Sequence, residues 1–260
     1  MNSTPVLLYH HVCDDREVTP AGFLRHLEYL KGAGYRSVFL DELPCFTGRN
    51  EKTVAITFDD GFLDNWVYAF PSLKKTGMKA TIFVSTFFIG SGRPRKTSEE
   101  ESGIVLDTLH GEKDKKNFLN WSELKIMADS GLVDVQSHTH THKYFDKRAA
   151  YADIYFEMSE SKRLIEANLG RRCRFIAWPW GRYEHGWIET AQKNGYDGCA
   201  TTKVGANSAG SDPYRIKRFK VEKEDSGWFA NRVGLCGRKM LVGMYGAVFG
   251  LDRKIKRFFR

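Results

Sequence analysis

Short apolar runs alternate with longer amphipathic stretches along most of this chain. The short runs predict buried strands at residues 5–12, 35–40, 53–58, 79–84, 132–135, 174–178, 196–201 and 214–221. Apolar residues at helical spacing predict helices at residues 20–34, 65–75, 122–129, 149–168 and 186–193. This alternation of strand and helix favours a parallel sheet with right-handed crossover connections.

Polar side chains cluster where several of these strands are expected to end. The clusters are His10 with His11, Asp59 with Asp60, the histidines within 138–142, and 179–181. A barrel of parallel strands gathers the carboxyl ends of its strands on one face, where active sites are built. We therefore expect these four clusters to meet.

Residues 90–117 interrupt the alternation. The segment is long and polar, with an acidic cluster at 99–101 and a charged run at 112–116. We expect an inserted loop, which is either a passive surface excursion or a lid over one end of the fold.

The composition indicates a globular protein. The chain has 260 residues, of which 42% are hydrophobic, enough to bury a substantial core. Its five cysteines form no C-x-x-C pair, which argues against a disulfide framework and favours a reducing compartment. The amino terminus lacks the charged region of a signal peptide, and no apolar run reaches the ~18 residues of a membrane span. We expect a cytoplasmic location.

The net charge of +8 is concentrated at the carboxyl end. Residues 237–260 carry seven Lys or Arg against Asp252, a net +6, which leaves +2 for the rest. The nearly balanced body does not support a nucleic-acid-binding surface. Apolar residues beside basic ones in this tail suit peripheral contact with an anionic membrane, at the inner face of the cytoplasmic membrane. The alternative is a solvated basic end after a docked helix.

Two of the polar clusters suggest a metal site. Two adjacent carboxylates at a strand end repel each other unless a cation or a proton lies between them, although an ordinary polar turn is also possible. Either an extended or a helical backbone lets His138 and His142 face one ion, while His140 joins them only if the segment is extended. With the Asp60 carboxylate, two imidazoles would form a three-ligand site with positions open to water. The alternative is a surface loop of solvated imidazoles.

The segments T-F-D-D-G at 57–61 and S-H-T-H-T-H at 137–142 resemble the polysaccharide deacetylases of carbohydrate esterase family four, the NodB-homology domain. V-L-L-Y-H-H-V at 6–12 and W-P-W-G at 178–181 look like further parts of the pattern. The resemblance implies a distorted (β/α) barrel of about seven parallel strands. It suggests a catalytic domain at 1–236 that carries the insertion at about 90–117 and is followed by the tail at 237–260.

The resemblance assigns roles to four side chains. By position, Asp59 resembles the family's catalytic base, while Asp60, His138 and His142 resemble its metal ligands. His140 falls on a variable position of the motif. The implied cofactor is a divalent ion, with Zn2+ expected. Such an ion polarises an amide carbonyl and acidifies bound water, and a carboxylate that is not a ligand can take the proton.

The W-P-W-G segment carries two further expectations. The family places the backbone N–H that binds the oxyanion just after the Pro, at Trp180, whose ring could also bind a sugar. Trp178 lies inside a predicted strand and is expected to pack in the core.

The chain departs from the family pattern at three places. An Arg that pairs with the catalytic Asp is usual two residues before the Pro, where this chain has Ala177; Arg218 or Arg174 could supply the charge, and we favour Arg218. The family's late L-x-H motif, whose His supplies the general acid, is missing here, because Leu235 is followed by Cys236 and Gly237. His10 could replace it as a catalytic residue, with His11 in substrate binding, unless both are core or supporting residues. Asp212 matches the fourth motif only loosely.

The expected function is metal-dependent N-deacetylation of an N-acetylhexosamine. The substrate would be a cell-envelope polysaccharide or a lipid-linked sugar of the lipopolysaccharide or lipid A precursor type, and the basic tail favours a glycolipid. A non-haem iron oxygenase is an alternative, because two His and one carboxylate also form its facial triad. A second alternative is a carbohydrate-binding protein of the same fold that has lost catalysis.

Overall fold

The computed structural model describes residues 3–43, 52–101, 103–104, 114–146, 148–242 and 244. Its strands are β1 (Val6–Tyr9), β2 (Arg36–Ser37), β3 (Thr53–Phe58), β4 (Ala80–Val84), β5 (Val133–Ser137), β6 (Phe175–Ala177), β7 (Gly198–Ala200) and β8 (Phe219–Lys220). Its helices are α1 (Pro20–Gly32), α2 (Phe70–Thr76), α3 (Trp121–Asp129), α4 (Tyr151–Leu169), α5 (His185–Lys193) and α6 (Ser226–Cys236). Every predicted strand segment overlaps an observed strand.

One curled sheet organises the molecule. Seven strands follow the order β7-β6-β5-β4-β3-β1-β8, and β2 pairs with β3 outside this path. All of the pairs are parallel. The seven parallel strands form a curled half-barrel, which confirms the expected distorted (β/α) barrel.

The last core segment differs from its prediction. The sequence predicts one strand over 214–221, but Pro213–Arg215 forms a 3-10 turn, in which Asp212 caps the N–H of Tyr214 and Pro213 occupies the first turn. Beyond the turn, Ile216 forms a parallel bridge to Ala200 of β7, and only Phe219–Lys220 pairs with β1. The segment therefore connects the two edges of the sheet, at the place where a regular barrel would close.

Two helices also differ from the pattern. The predicted helix at 65–75 opens with a π-helical turn, Asn65–Ala69, and α2 begins next to Pro71, which has no N–H to donate. Helix α6 was not predicted. Its start is capped by Asp225, and it buries Phe229, Val233 and Cys236.

The described part of the 90–117 insertion is fixed to the body by Arg95. The Arg95 guanidinium donates to both carboxylate oxygens of the buried Glu123 at 2.7 Å and to the backbone oxygens of Lys116 and Phe118. Residues 102 and 105–113, which belong to the predicted lid or passive loop, lie outside the described residues.

Little of the predicted basic tail falls within the described residues. Residues 237–242 continue from α6, where Val242 is buried and Met240 is exposed. Residues 243 and 245–260, including the basic run at 253–260, lie outside the described residues. Among the helices that are described, none is long and apolar enough to cross a membrane.

Candidate active site

The three predicted metal ligands converge. The Asp60 Oδ1 atom lies 3.4 Å from His138 Nε2 and 3.3 Å from His142 Nε2. These separations suit ligand atoms that each lie about 2.0–2.2 Å from one ion. Asp60 follows β3 and His138 follows β5, so the curled sheet brings residues from distant parts of the chain to one face, as the strand-end pattern predicted.

A hydrogen bond to the backbone sets the orientation of His138. Its Nδ1 lies 2.9 Å from the carbonyl oxygen of Ala177, which can only accept, so Nδ1 carries the proton. In the neutral imidazole the Nε2 lone pair then faces the Asp60 carboxylate. Two lone-pair donors in contact repel each other unless a cation or a proton lies between them, so this donor set fits a divalent ion.

The protonation states also favour metal binding at two of the three positions. Burial raises the pKa of Asp60, but His138 and His142 outweigh it and hold that pKa far below its usual value. Burial, helped by His138, lowers the pKa of His142 to about 4. Burial lowers the pKa of His138 too, but Asp59 and Asp60 outweigh it and raise that pKa. At neutral pH Asp60 is ionised and His142 is neutral, so both can bind a cation, whereas the raised pKa of His138 lets a proton compete with a metal for its Nε2 atom.

The backbone at the site is strained. All four of the described non-glycine residues with positive φ lie here, namely Asp60, Thr139, His142 and Trp180, with φ from 54° to 72°. This conformation is uncommon for residues with a Cβ and persists only where the surrounding structure enforces it. The strain marks the site independently of its side-chain chemistry.

Asp59 forms a buried ion pair with Arg218. The two guanidinium nitrogens Nη1 and Nη2 donate to Asp59 Oδ1 and Oδ2 at 2.6 and 2.8 Å. Both side chains are almost completely buried, and Arg218 also donates to the backbone oxygen of Thr201 and to Thr57 Oγ1. Burial raises the pKa of Asp59, but Arg218 and His138 outweigh it, so the carboxyl remains ionised.

The structure shows which of the two arginines offered by the sequence as partners of Asp59 contacts it. Arg174 precedes β6 and pairs with Asp41 and Asp197, at the end of the sheet opposite the site. Arg218 lies on the segment between the two sheet edges, and its side chain reaches Asp59 from there. Ala177, the position of the family's Arg, is buried in β6.

His10 and His11 have different surroundings. His10 lines the site; its Nδ1 is buried without a hydrogen-bond partner in the described structure, and burial lowers its pKa although Asp59 and Asp60 act against this. His11 Nδ1 lies 2.6 Å from Asp64 Oδ2, and its ring stacks on Phe62. His10 is therefore the histidine that interacts with the acidic pair.

A second group of possible metal ligands surrounds His11. The ligand atoms of His11, Cys13 and Asp64 lie within 4.8 Å of one another. The 2.6 Å separation of His11 and Asp64 is, however, a hydrogen-bond distance, shorter than two ligands of one ion normally keep. This group is better described as a hydrogen-bonded pair beside a thiol.

The two tryptophans of the W-P-W-G segment separate as expected. Trp180 is 65% exposed, and its ring centroid lies 5.2 Å from that of His142. Trp178 is buried and stacks on Tyr183. Trp180 is thus available to a bound molecule.

Sequence reasoning missed the residue that holds the histidine segment. Glu157 of α4 is buried and accepts hydrogen bonds from the backbone N–H groups of His140 and Thr141 and from the Thr141 hydroxyl. His140 itself points away from the ligands, to Thr86. Glu157 lies on the buried face of α4, with Ile154, Met158, Ser161 and Ile165. A carboxylate among these residues is a sequence signal for a buried group that needs hydrogen-bond partners.

Asp59, Asp60, His138 and His142 line one open cleft of about 970 Å³. One wall is aromatic: Phe62, Phe118 and Phe88 stack in succession with centroids 5.1 and 4.8 Å apart, and Phe87 continues the row. Trp180 faces the cleft from another side. Apolar ring surfaces around a few converging polar groups are typical of a binding site for a small molecule or a sugar.

The family model and the relatives found by comparison with known proteins are described as deacetylases. A family model described as polysaccharide deacetylase matches residues 47–199. The chain is 31% identical over 229 residues to the Bacillus subtilis (strain 168) protein YxkH, covering 86% of this chain and 73% of the relative. It is 27% identical over 221 residues to the poly-beta-1,6-N-acetyl-D-glucosamine N-deacetylase of Staphylococcus epidermidis, covering 80% of this chain and 68% of the relative.

Solved structures share the fold. BC0361, a polysaccharide deacetylase from Bacillus cereus, superposes with a TM-score of 0.71 at 26% identity, covering 89% of this chain and 69% of that chain. The Streptococcus pyogenes deacetylase PplD, solved in complex with acetate, superposes with a TM-score of 0.73 at 24% identity, covering 89% of this chain and 97% of that chain.

Proposed function

The chain belongs to the polysaccharide deacetylase family, and on that premise we propose that it is a metal-dependent N-deacetylase of an N-acetylhexosamine. The observation that carries the proposal is the convergence of Asp60, His138 and His142 beside the ionised Asp59. In this arrangement three side chains would hold a divalent ion and a fourth, which is not a ligand, would act as the base.

The described residues support distinct chemical roles. An ion held by Asp60, His138 and His142 would supply Lewis acidity, with Zn2+ expected for two imidazoles and a carboxylate. Asp59, kept ionised by Arg218, would accept a proton from the attacking water.

Two further groups complete the proposed mechanism. The Trp180 backbone N–H would stabilise the developing oxyanion. His10 would pass a proton to the leaving amine. Because its pKa is lowered, His10 is neutral at pH 7, so it would have to receive that proton before donating it.

The alternative functions lose support. The binding-protein alternative rests on the absence of the family's Arg and of its late general acid. Arg218 supplies a bidentate partner to Asp59 from another segment, and His10 is proposed as the acid. The relatives are deacetylases, which does not favour an iron oxygenase.

The substrate proposal rests on the cleft and on the relatives. We propose an N-acetylated cell-envelope polysaccharide or a lipid-linked sugar, bound with a ring against Trp180 or the aromatic wall. The polymer is supported by the relative named for poly-beta-1,6-N-acetyl-D-glucosamine. The lipopolysaccharide or lipid A precursor type is supported only by the basic composition of 237–260.

The proposed location is the cytoplasm, with contact at the inner membrane face through 237–260. Support comes from Cys173 and Cys199, which are buried free thiols, as expected in a reducing compartment. The membrane contact stays a prediction, because most of this segment lies outside the described residues.

Acetate release tests the proposed function. N-acetylglucosamine oligomers and a lipid-linked N-acetyl sugar are incubated with the protein, with and without a chelator. We expect release that a chelator stops and added Zn2+ restores. Release that is insensitive to the chelator would reject the metal mechanism, and the absence of release from every N-acetylated sugar would reject the deacetylase assignment.

A further inference from the structure

Lys220 is a cation in the cleft that the proposed mechanism does not use. It lies two residues after Arg218, so the two side chains are expected on the same face of the segment that enters β8. Arg218 is buried against Asp59, whereas the Lys220 side chain is 44% exposed and lines the cleft. Lys220 is also close enough to His10 for its charge to help lower the pKa of that histidine.

The contact of Lys220 with an acidic group is weak. Its Nζ lies 3.9 Å from Glu222 Oε1, and the Glu222 side chain is itself 56% exposed. Exposed pairs at such a distance contribute little, because water competes for both charges. The ammonium group is therefore available to a bound molecule.

The cleft and the arginine behind it carry a small excess of positive charge. The charged residues that line the cleft balance one another, since Arg16, Lys143 and Lys220 stand against Glu17, Asp59 and Asp60. Arg218 pairs with Asp59 from outside the lining and brings the sum to +1 before any ion is bound. A divalent ion would make the potential more positive still.

We infer that the mouth of the cleft binds an anionic substituent of the substrate, a carboxylate or a phosphodiester on the N-acetylated sugar or on its neighbour, with Lys220 as the principal contact. An ammonium group is a compact charge with three donors, which suits both anions. The inference rests on the proposed deacetylase function and narrows its substrate.

The charge of the reaction product also favours an anionic substrate. Each acetyl group removed from a neutral glycan leaves an amine that is cationic at neutral pH. A positive cleft would repel a partly deacetylated neutral polymer, whereas a glycan with built-in anions would still be attracted. The charge of the cleft thus favours an anionic glycan.

Kinetics on matched substrates test this inference. Three N-acetylglucosamine oligosaccharides of equal length are compared: one neutral, one with a neighbouring uronate and one with a neighbouring phosphodiester. For the wild-type protein we expect kcat/KM to be about tenfold higher on at least one anionic substrate, the size of one charge-assisted hydrogen bond. The preference should act mainly through KM and weaken as salt is added.

Variants of Lys220 identify the contact. In Lys220→Gln the ratio of anionic to neutral kcat/KM should fall about tenfold, and in Lys220→Arg most of the ratio should remain. The matched control is Lys223→Gln, which makes the same change of net charge at an exposed position that does not line the cleft. The ratio for this control should equal that of the wild type.

Each outcome has a definite meaning. A preference for the uronate alone, or for the phosphodiester alone, supports the inference and identifies the anion. Equal kcat/KM on all three substrates, a preference that survives Lys220→Gln, or an equal loss in Lys223→Gln overturns it while leaving the deacetylase function intact. Acetate release from none of the three contradicts the proposed function itself.

Discussion

At the scale of single residues, backbone conformation sets the candidate site as much as side-chain identity does. Asp60, His142 and Trp180 all adopt positive φ, and Gly61 follows Asp60 with φ of 83°. A Cβ at Gly61 would lie 2.9 Å from Val84 Cγ1. The turn after β3 thus has two consecutive residues in the left-handed conformation, Asp60 and Gly61. Gly61 also approaches β4 so closely that only glycine fits at that position.

Gly61→Ala should therefore weaken both stability and metal binding. We expect a loss of about 1–3 kcal/mol in the free energy of unfolding, from the strained φ and the clash with Val84, and a lower Zn2+ affinity. Denaturant unfolding and chelator competition measure the two effects. The control is Gly131→Ala, where φ is 73° but a Cβ meets open space; it should lose stability without losing metal affinity. Unchanged metal affinity in Gly61→Ala would contradict this role.

Arg218→Lys should change the pH profile of the reaction. Lysine keeps a charge but loses the bidentate fork, so the pKa of Asp59 should rise and the acid limb of kcat/KM should move to higher pH. The rate at the optimum should also fall, by up to about 10²-fold if the base shifts by 1 Å. Arg174→Lys, at the opposite end of the sheet, should keep the wild-type profile. An unmoved acid limb in Arg218→Lys would show that Asp59 is not the group that titrates.

At the scale of elements, helices behind the sheet hold the loops that carry the site. Helix α4 places Glu157 under the 139–142 segment, where its carboxylate accepts two backbone N–H groups and one hydroxyl. Helix α6 packs its Phe229 ring on His26 of α1, with centroids 3.8 Å apart. Each contact fixes a loop or an edge that the sheet alone leaves free.

Glu157→Ala should lower Zn2+ affinity by about 10- to 100-fold, the usual cost of losing a group that orients a ligand. The physical reason is that His142 keeps its positive φ only while this segment is held. Competition with a chelator gives the affinity. Glu160→Gln, which breaks an exposed pair with Arg163 on the same helix, is the control and should bind Zn2+ normally. Equal affinities in the two variants would contradict the role of Glu157.

The α1–α6 contact should make stability depend on pH. Burial lowers the pKa of His26 from 6.5 to about 4, so between these values the unfolded chain binds a proton that the folded one does not. Stability should therefore fall as pH drops from 6.5 to 4, with a contribution from His26 of up to about 3 kcal/mol. Chemical denaturation across this range should show a smaller loss in His26→Phe than in the wild type. Equal losses would mean that His26 is not responsible.

At the scale of the whole molecule, the strands and the convergence of the proposed metal ligands were predictable, and the closure of the barrel was not. Apolar runs located β3 at Thr53–Phe58, and the resemblance of two motifs to the family pattern placed Asp60, His138 and His142 together. Local pattern could not show that residues 216–220 pair with β7 at one end and β1 at the other. That connection carries Arg218 to Asp59, so the partner of the proposed base depends on tertiary structure. The sequence favoured Arg218 over Arg174, but only the fold shows its contact with Asp59.

We propose that Asp60, His138 and His142 hold one divalent ion while Asp59 acts on water without binding the ion. Bound zinc per chain, measured alongside acetate release in the wild type, Asp59→Asn and Asp60→Ala, tests it most directly. We predict one zinc and full activity in the wild type, one zinc with activity lowered by about 10²–10⁴-fold in Asp59→Asn, and neither zinc nor activity in Asp60→Ala. Stoichiometric zinc in Asp60→Ala, or wild-type acetate release by Asp59→Asn, would contradict the account.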